Sequence, residues 1–131
     1  MKNQRKVLVV SLDESIHGCF SAVKQLADGL HLGTIHQARN YDQIIGSIQQ
    51  GTPDLIICEV GLKCETDGIA LMRTIARVYP IPVFFILNEN QPYLVEQTKE
   101  FTTVGVLLKP LNLVQLKLSL KLSFNKIGLL I

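Results

Sequence analysis

The chain has 131 residues, 47% of them apolar and 18% charged, with a formal net charge of +2. That length fits one domain able to bury roughly two-thirds of its unfolded surface, and the apolar share excludes a disordered chain. So small a positive excess gives no reason to expect nucleic acid or an anionic membrane as a partner. The opening MKNQRKVLVVSLDES sets basic residues before an apolar run, as a signal peptide does. That run is short, however, and passes into Asp13 and Glu14 without a small-residue cleavage site. No stretch approaches the ~20 apolar residues of a membrane span. The expectation is a single cytoplasmic domain over residues 1–131. Cys19, Cys58 and Cys64 are odd in number and lack a CxxC or a Cys/His pair at zinc spacing, so they read as reduced thiols.

In chain order, Val7 to Val10 is a first apolar run of strand length. Ile16, Cys19, Phe20, Val23, Ala27 and Leu30 then recur at i, i+3, i+4 and i+7, which predicts a helix reaching Leu30. HLGTIHQA (31–38) is a weaker, more polar strand suited to a sheet edge, and YDQIIGSIQQ (41–50) a short helix closed by Gly51. LIICE (55–59) runs four apolar residues into a glutamate. A continuous run of that kind marks a strand covered on both faces, so Glu59 stands where a buried strand surfaces. From Asp67, GIALMRTIARVYP spaces Ile69, Leu71, Met72, Ile75, Ala76 and Tyr79 for burial on a helix that Pro80 ends. PVFFIL (82–87) is a fourth strand, QPYLVEQTKEF (91–101) a marginal helix, and VGVLL (104–108) a fifth strand; a last helix begins after Lys109-Pro110.

Five strands, each followed by a helix, imply right-handed β-α-β units and hence an α/β fold with a doubly wound five-stranded parallel sheet. The functional crevice of such sheets lies beyond the carboxyl ends of the strands. The residues to inspect are therefore Ser11, Leu12 and Asp13, then Glu59, then Leu87 and Asn88, then Lys109.

VLVVSLDES, PDLIICEVGL, DGIALMRTI, IPVFFIL and VGVLLKP, in that order, resemble the receiver domain of two-component response regulators over essentially the whole chain. The resemblance implies the (βα)5 flavodoxin-like fold. It also implies a phosphoacceptor aspartate at the end of the third strand, the position held here by Glu59. Receivers place two acidic residues after the first strand to hold Mg²⁺, and the direct register puts Ser11 and Leu12 there, with Asp13 following. A register slid by two would make Asp13 and Glu14 the pair without changing sheet faces. It needs an insertion and spoils the spacing to Ile16, Cys19 and Val23. The switch Thr or Ser of the family is Leu87 here, and the aromatic of its fifth strand is Val106. Lys109 and Pro110 are kept, and the loop after Glu59 is one residue longer before Gly68.

Phosphoryl transfer is catalysed mainly by positioning and charge neutralisation, much of it by Mg²⁺, and Mg²⁺ requires near-octahedral oxygen ligands. Leu12 offers none. Glu59 adds a methylene to the acceptor arm, and a displacement of about 1 Å can cost on the order of 100-fold in rate. The expectation is a non-enzymatic receiver-like module that binds no Mg²⁺ and is not phosphorylated by the usual route. It would act through contacts with signalling proteins, a sensor-kinase pathway or an effector, with Glu59 ion-paired to Lys109. The alternatives are a still-phosphorylatable receiver whose Asp13 and Glu14 hold Mg²⁺, and a small flavodoxin-like ligand-binding protein. His17, His31 and His36 lack ligand spacing, and no Walker loop or dinucleotide fingerprint occurs.

LNLVQLKLSLKLSFNKI closes the chain's last β-α unit. At about 100° per residue, Leu113, Leu116, Leu120, Phe124 and Ile127 share one stripe, while Leu111, Leu118 and Leu122, flanked by Val114, share the opposite one. The first stripe suits the sheet. The second reads as a partner surface, for a homodimer or another protein, since an exposed apolar patch commonly marks a contact; the resemblance agrees, because receivers meet partners around their fourth and fifth helices.

Overall fold

The structure, a computed structural model, describes residues 5–11, 18–60, 65–88 and 94–128, and of residues 65–67 only the backbone. The elements alternate: β1 (Arg5–Ser11), α1 (Cys19–Gln25), β2 (Leu32–Ala38), α2 (Tyr41–Gln50), β3 (Leu55–Glu59), α3 (Glu65–Ala76), β4 (Val83–Leu87), α4 (Val95–Thr98), β5 (Thr103–Leu108) and α5 (Leu113–Lys126). All strand pairs are parallel, in the order β2-β1-β3-β4-β5. This is the doubly wound (βα)5 sheet expected from the sequence, with the polar β2 on an edge.

Alternation along the strands separates two cores. Leu8, Val10, Ile56, Cys58, Phe85 and Leu87 face α2, α3 and α4, where Ile44, Ile48, Ile69, Met72 and Ile75 cover them. Val7, Val9, Leu55, Ile57, Phe84 and Ile86 face α1 and α5, under Cys19, Val23, Leu116, Leu120 and Phe124. β3 and β4 are buried at every position, as continuous apolar runs require. Arg5 is buried at the foot of β1 with its guanidinium 5.0 Å from the Phe124 ring centroid, a cation–π contact that ties the end of α5 to the sheet.

Local chemistry sets the helix starts. The Asn40 side chain accepts from the Gln43 amide at 2.9 Å, and the Gln43 side chain reaches back to the Arg39 amide at 2.8 Å, a reciprocal cap on α2. Asn112 caps α5, accepting from the amides of Val114 and Gln115.

Three sequence expectations are corrected. α1 stops at Gln25 rather than reaching Leu30; turns follow, and Leu30 is buried by a loop whose backbone bonds Leu30 N to Leu26 O. α4 is a single turn, Val95–Thr98, in place of a helix over 91–101, of which 91–93 lie outside the described residues. Leu111 is not on α5 at all. It precedes the Asn112 cap and packs half-buried against the α1–α5 core, so it leaves the partner surface, while Leu113, expected on the sheet-facing stripe, is 41% exposed.

β5 is the second edge, and α5 closes it. The Val104 carbonyl accepts from Ser123 Oγ at 3.1 Å and from Lys126 Nζ at 3.2 Å, which occupies an acceptor that an edge would offer to another strand. The register slips between Val83 and Phe84, bringing Gly105 opposite Phe84. A Cβ at Gly105 would lie 2.5 Å from two Phe84 ring carbons and 2.9 Å from Ser123 Oγ. Gly105→Ala is therefore expected to lower stability by about 1 to 3 kcal/mol, as overpacking of a filled core does. Urea denaturation checks it, and an unchanged midpoint would refute the packing described.

Candidate functional site

β1 has β2 on one side and β3 on the other, so the chain changes winding direction between β1 and β3, and a crevice opens beyond their carboxyl ends. The register places Ser11 opposite Glu59. Both continue the strand parity that faces α1 and α5, and both are buried, Glu59 with 1% of its surface exposed. Ser11 is the last described residue of β1, and Leu12, Asp13 and Glu14 lie outside the described residues.

Among the described residues, three groups hold Glu59. Its Oε1 accepts from Ser11 Oγ at 2.9 Å and from the Cys19 backbone amide, at the start of α1, at 3.4 Å. Its Oε2 has no hydrogen-bond donor of ordinary geometry among the described residues, but the Lys109 ammonium lies 2.5 Å away. Lys109 follows β5 and is fixed by its own amide, which donates to the Leu87 carbonyl at 2.7 Å. Its side chain keeps 25% exposure, so the pair is sealed on the glutamate side and touches water on the lysine side. A carboxylate so far from water is tolerated only with a close cation and with hydrogen bonds on its remaining lone pairs. Ser11, the Cys19 amide and Lys109 supply these.

The Glu59 charge is felt by the flanking thiols. Burial and then the Glu59 charge push the Cys58 thiol up to about 12, and the same causes, in the same order, push Cys19 further still. Both are free and buried, and both stay protonated near neutrality, so neither is a nucleophile.

The other expected residues are placed as follows. Leu87 is fully buried with its side chain in the α2–α4 core; its contribution to the site is the carbonyl that holds Lys109. Val106 packs half-buried against that same core. Pro110 is exposed and joined to Lys109 by a cis peptide. Two contacts escaped the sequence. One is the Cys19 amide. The other is Asn88, whose Nδ2 donates to the Val60 carbonyl at 3.1 Å and ties the exit of β4 to that of β3. Among the described residues, no three His, Cys, Asp or Glu side chains gather as a metal site, and no helix is long and apolar enough to cross a membrane.

The family model described as the response regulator receiver domain matches residues 7–121. Among solved structures, the chain is similar to a response regulator from Thermotoga maritima, with a TM-score of 0.78 and 20% identity over 93% of this chain and 98% of that one. It is also similar to a two-component response regulator from Clostridium difficile, with a TM-score of 0.71 and 24% identity over 95% and 99%. A third likeness is to the signal receiver domain of an HD domain-containing protein from Pseudomonas fluorescens Pf-5, with a TM-score of 0.76 and 22% identity over 97% and 91%. A comparison with curated proteins gave no match.

Breaking the pair should cost unequally. Lys109→Met leaves the buried carboxylate with only neutral donors, an expected loss of about 2 to 4 kcal/mol; Glu59→Gln leaves a lysine that can turn to water, about 1 to 2 kcal/mol. The double variant should lose less than the sum, as double-mutant cycles of coupled groups show. Additive losses in urea denaturation would mean that the two side chains do not interact.

A pH effect follows from Cys58. Unfolded, its thiol ionises near its ordinary 9.0; folded, it holds the proton to about 12. Between those values the folded state binds the extra proton, so stability is complete below 9.0 and falls as pH rises. Cys58→Ala should make the decline between about pH 9 and pH 11 shallower by about 1.4 kcal/mol per pH unit. Denaturation midpoints across that range check it, and identical slopes would contradict it.

Proposed function

The chain belongs to the response regulator receiver domain family, and from that premise we propose that it is a receiver of a two-component pathway that signals without phosphotransfer, in one fixed state of its switch site. The observation that carries the reading is the Glu59–Lys109 contact at 2.5 Å inside a crevice that leaves Glu59 1% exposed. In the family this position receives a phosphoryl group. Here a permanent carboxylate already meets the lysine, and its other oxygen is engaged by Ser11 and the Cys19 amide.

Mg²⁺ does not fit these residues. Ser11 is hydrogen-bonded to Glu59 instead of offering a carboxylate, and the Lys109 ammonium stands against the oxygen that would turn to a metal. A divalent cation would have to displace a cation already bonded there, in a site whose described residues hold one carboxylate. The Leu87 side chain has no hydroxyl for a phosphoryl oxygen and lies in the opposite core. The protein is on this reading not an enzyme, and its output passes through contacts with signalling proteins.

The contact surface we assign is the exposed side of α5 with the β5 edge, where Val114, Leu118 and Leu122 stand in water. Such a ridge supports either self-association or a partner protein, as an exposed apolar patch does.

Incubation with acetyl phosphate and Mg²⁺ should add no phosphoryl mass to the intact protein by mass spectrometry. Stoichiometric, base-labile labelling at Glu59 would overturn the reading.

A further inference from the structure

The β5–α5 face has a one-sided charge. Residues 101–131 contain Lys109, Lys117, Lys121 and Lys126 and not a single Asp or Glu. Lys109 is committed to Glu59, and the acids just before this stretch are engaged elsewhere: Glu96 with Lys99 at 3.0 Å and Glu100 with Arg73 at 2.8 Å. Among the described residues no carboxylate pairs with Lys117, Lys121 or Lys126.

The apolar part of the same face is a ridge. Val114, Leu118 and Leu122 are 66%, 56% and 61% exposed and stand four residues apart, one above the next on the helix. At about 100° per residue, Lys121 flanks that ridge on one side and Lys126 on the other, with Lys117 beyond Lys121 over Gly29. Beside Leu122, between α5 and the β5 edge, lies a groove of about 220 Å³ whose walls include Phe84, Gly105, Val106, Ser119 and Lys126. The groove is open to solvent and its walls are more polar than apolar, with room for one side chain reaching past Leu122.

These features select among occupants. A second copy docking through the same face would set Lys121 and Lys126 against their counterparts, lysines that no carboxylate pairs among the described residues, and like charges brought together at an interface cost affinity. A strand added to β5 would meet a Val104 carbonyl already taken by Ser123 and Lys126. An amphipathic helix meets neither obstacle: its apolar stripe covers the ridge, one anchor side chain enters the groove, and acids on its flanks reach the lysines. Resting on the reading of this face as the output surface, we propose that it receives an amphipathic helix of a partner protein, with apolar anchors flanked by Asp or Glu.

The test uses two helix-stapled, fluorescein-labelled peptides with the same Leu and Phe anchors at i, i+4 and i+7, one flanked by Glu and one by Lys. In fluorescence anisotropy titrations the Glu-flanked peptide should bind on the order of tenfold or more tightly than its twin, and the gap should narrow as salt rises. Lys121→Glu with Lys126→Glu should reverse the preference. Lys121→Glu alone, which leaves the Lys126 bond to Val104 intact, should shift it the same way. Leu118→Ser with Leu122→Ser should abolish binding of both peptides while circular dichroism stays native. Equal affinities for the twins, or a preference that charge reversal leaves unmoved, would overturn the acidic partner yet spare the contact surface if the leucine variants still abolish binding. Binding untouched by the leucine variants would overturn both. Reversible dimerisation in sedimentation lost in the leucine variants, or anionic-phospholipid vesicle binding lost in Lys121→Glu, would likewise replace the proposed occupant.

Discussion

A buried carboxylate at the end of β3 is the constraint around which the crevice is arranged. Removing Glu59 from water costs several kcal/mol unless its charge and lone pairs are met. The groups that meet it come from three other parts of the chain: Ser11 from β1, the Cys19 amide from the start of α1, and Lys109 from the end of β5. One side chain thus fixes the relative position of two strand ends and a helix start. The sheet makes this possible because β1 and β3 are neighbours in a register that sets Ser11 beside Glu59. A slip of one residue in either strand would turn one of the two onto the opposite face.

The two cores play unequal parts. The face under α2, α3 and α4 takes up Leu87 and Val106, the positions where the family resemblance implies a switch hydroxyl and an aromatic, and here these are apolar side chains packed against other apolar side chains. A residue packed in that way gains nothing by moving when the charge at Glu59 changes. The link from the crevice to the β5–α5 face is instead covalent and short: Lys109 follows β5, and the Asn112 cap begins α5 a few residues later. The Glu59–Lys109 pair therefore bears on the position of the last strand and helix directly.

What the sequence disclosed follows the same physics. The strands and their burial were legible because an apolar run covered on both faces has few other interpretations, and the strand ends located Glu59 and Lys109 without any contact being known. The ends of α1 and α4 were not, since Leu30 continues a helical spacing while being buried by a turn, and 91–101 carries too few apolar residues to fix its length. Leu111 was misplaced for a related reason: in LNLVQLKLSL alternation and helical periodicity coincide, and only the Asn112 cap shows where the helix begins. The Cys19 amide was illegible in principle, because a main-chain donor carries no residue identity. The part Leu87 plays was not legible either, since a strand's last residue can serve the site through its carbonyl alone while its side chain packs in the core.

A receiver signals by having two arrangements that ligands or phosphoryl groups favour differently; without a differential there is no switching. On the reading proposed here, the pair removes that differential at its source. The Glu59 side chain and the lysine are already in contact in the resting protein, so no phosphoryl group is needed to bring them together. Control must then lie where free energy still depends on circumstance, at the β5–α5 surface. There the ridge supplies apolar area common to any partner, while the lysines on its two flanks discriminate by charge, so the amount and acidity of the partner, and not the state of Glu59, would decide whether this surface is occupied.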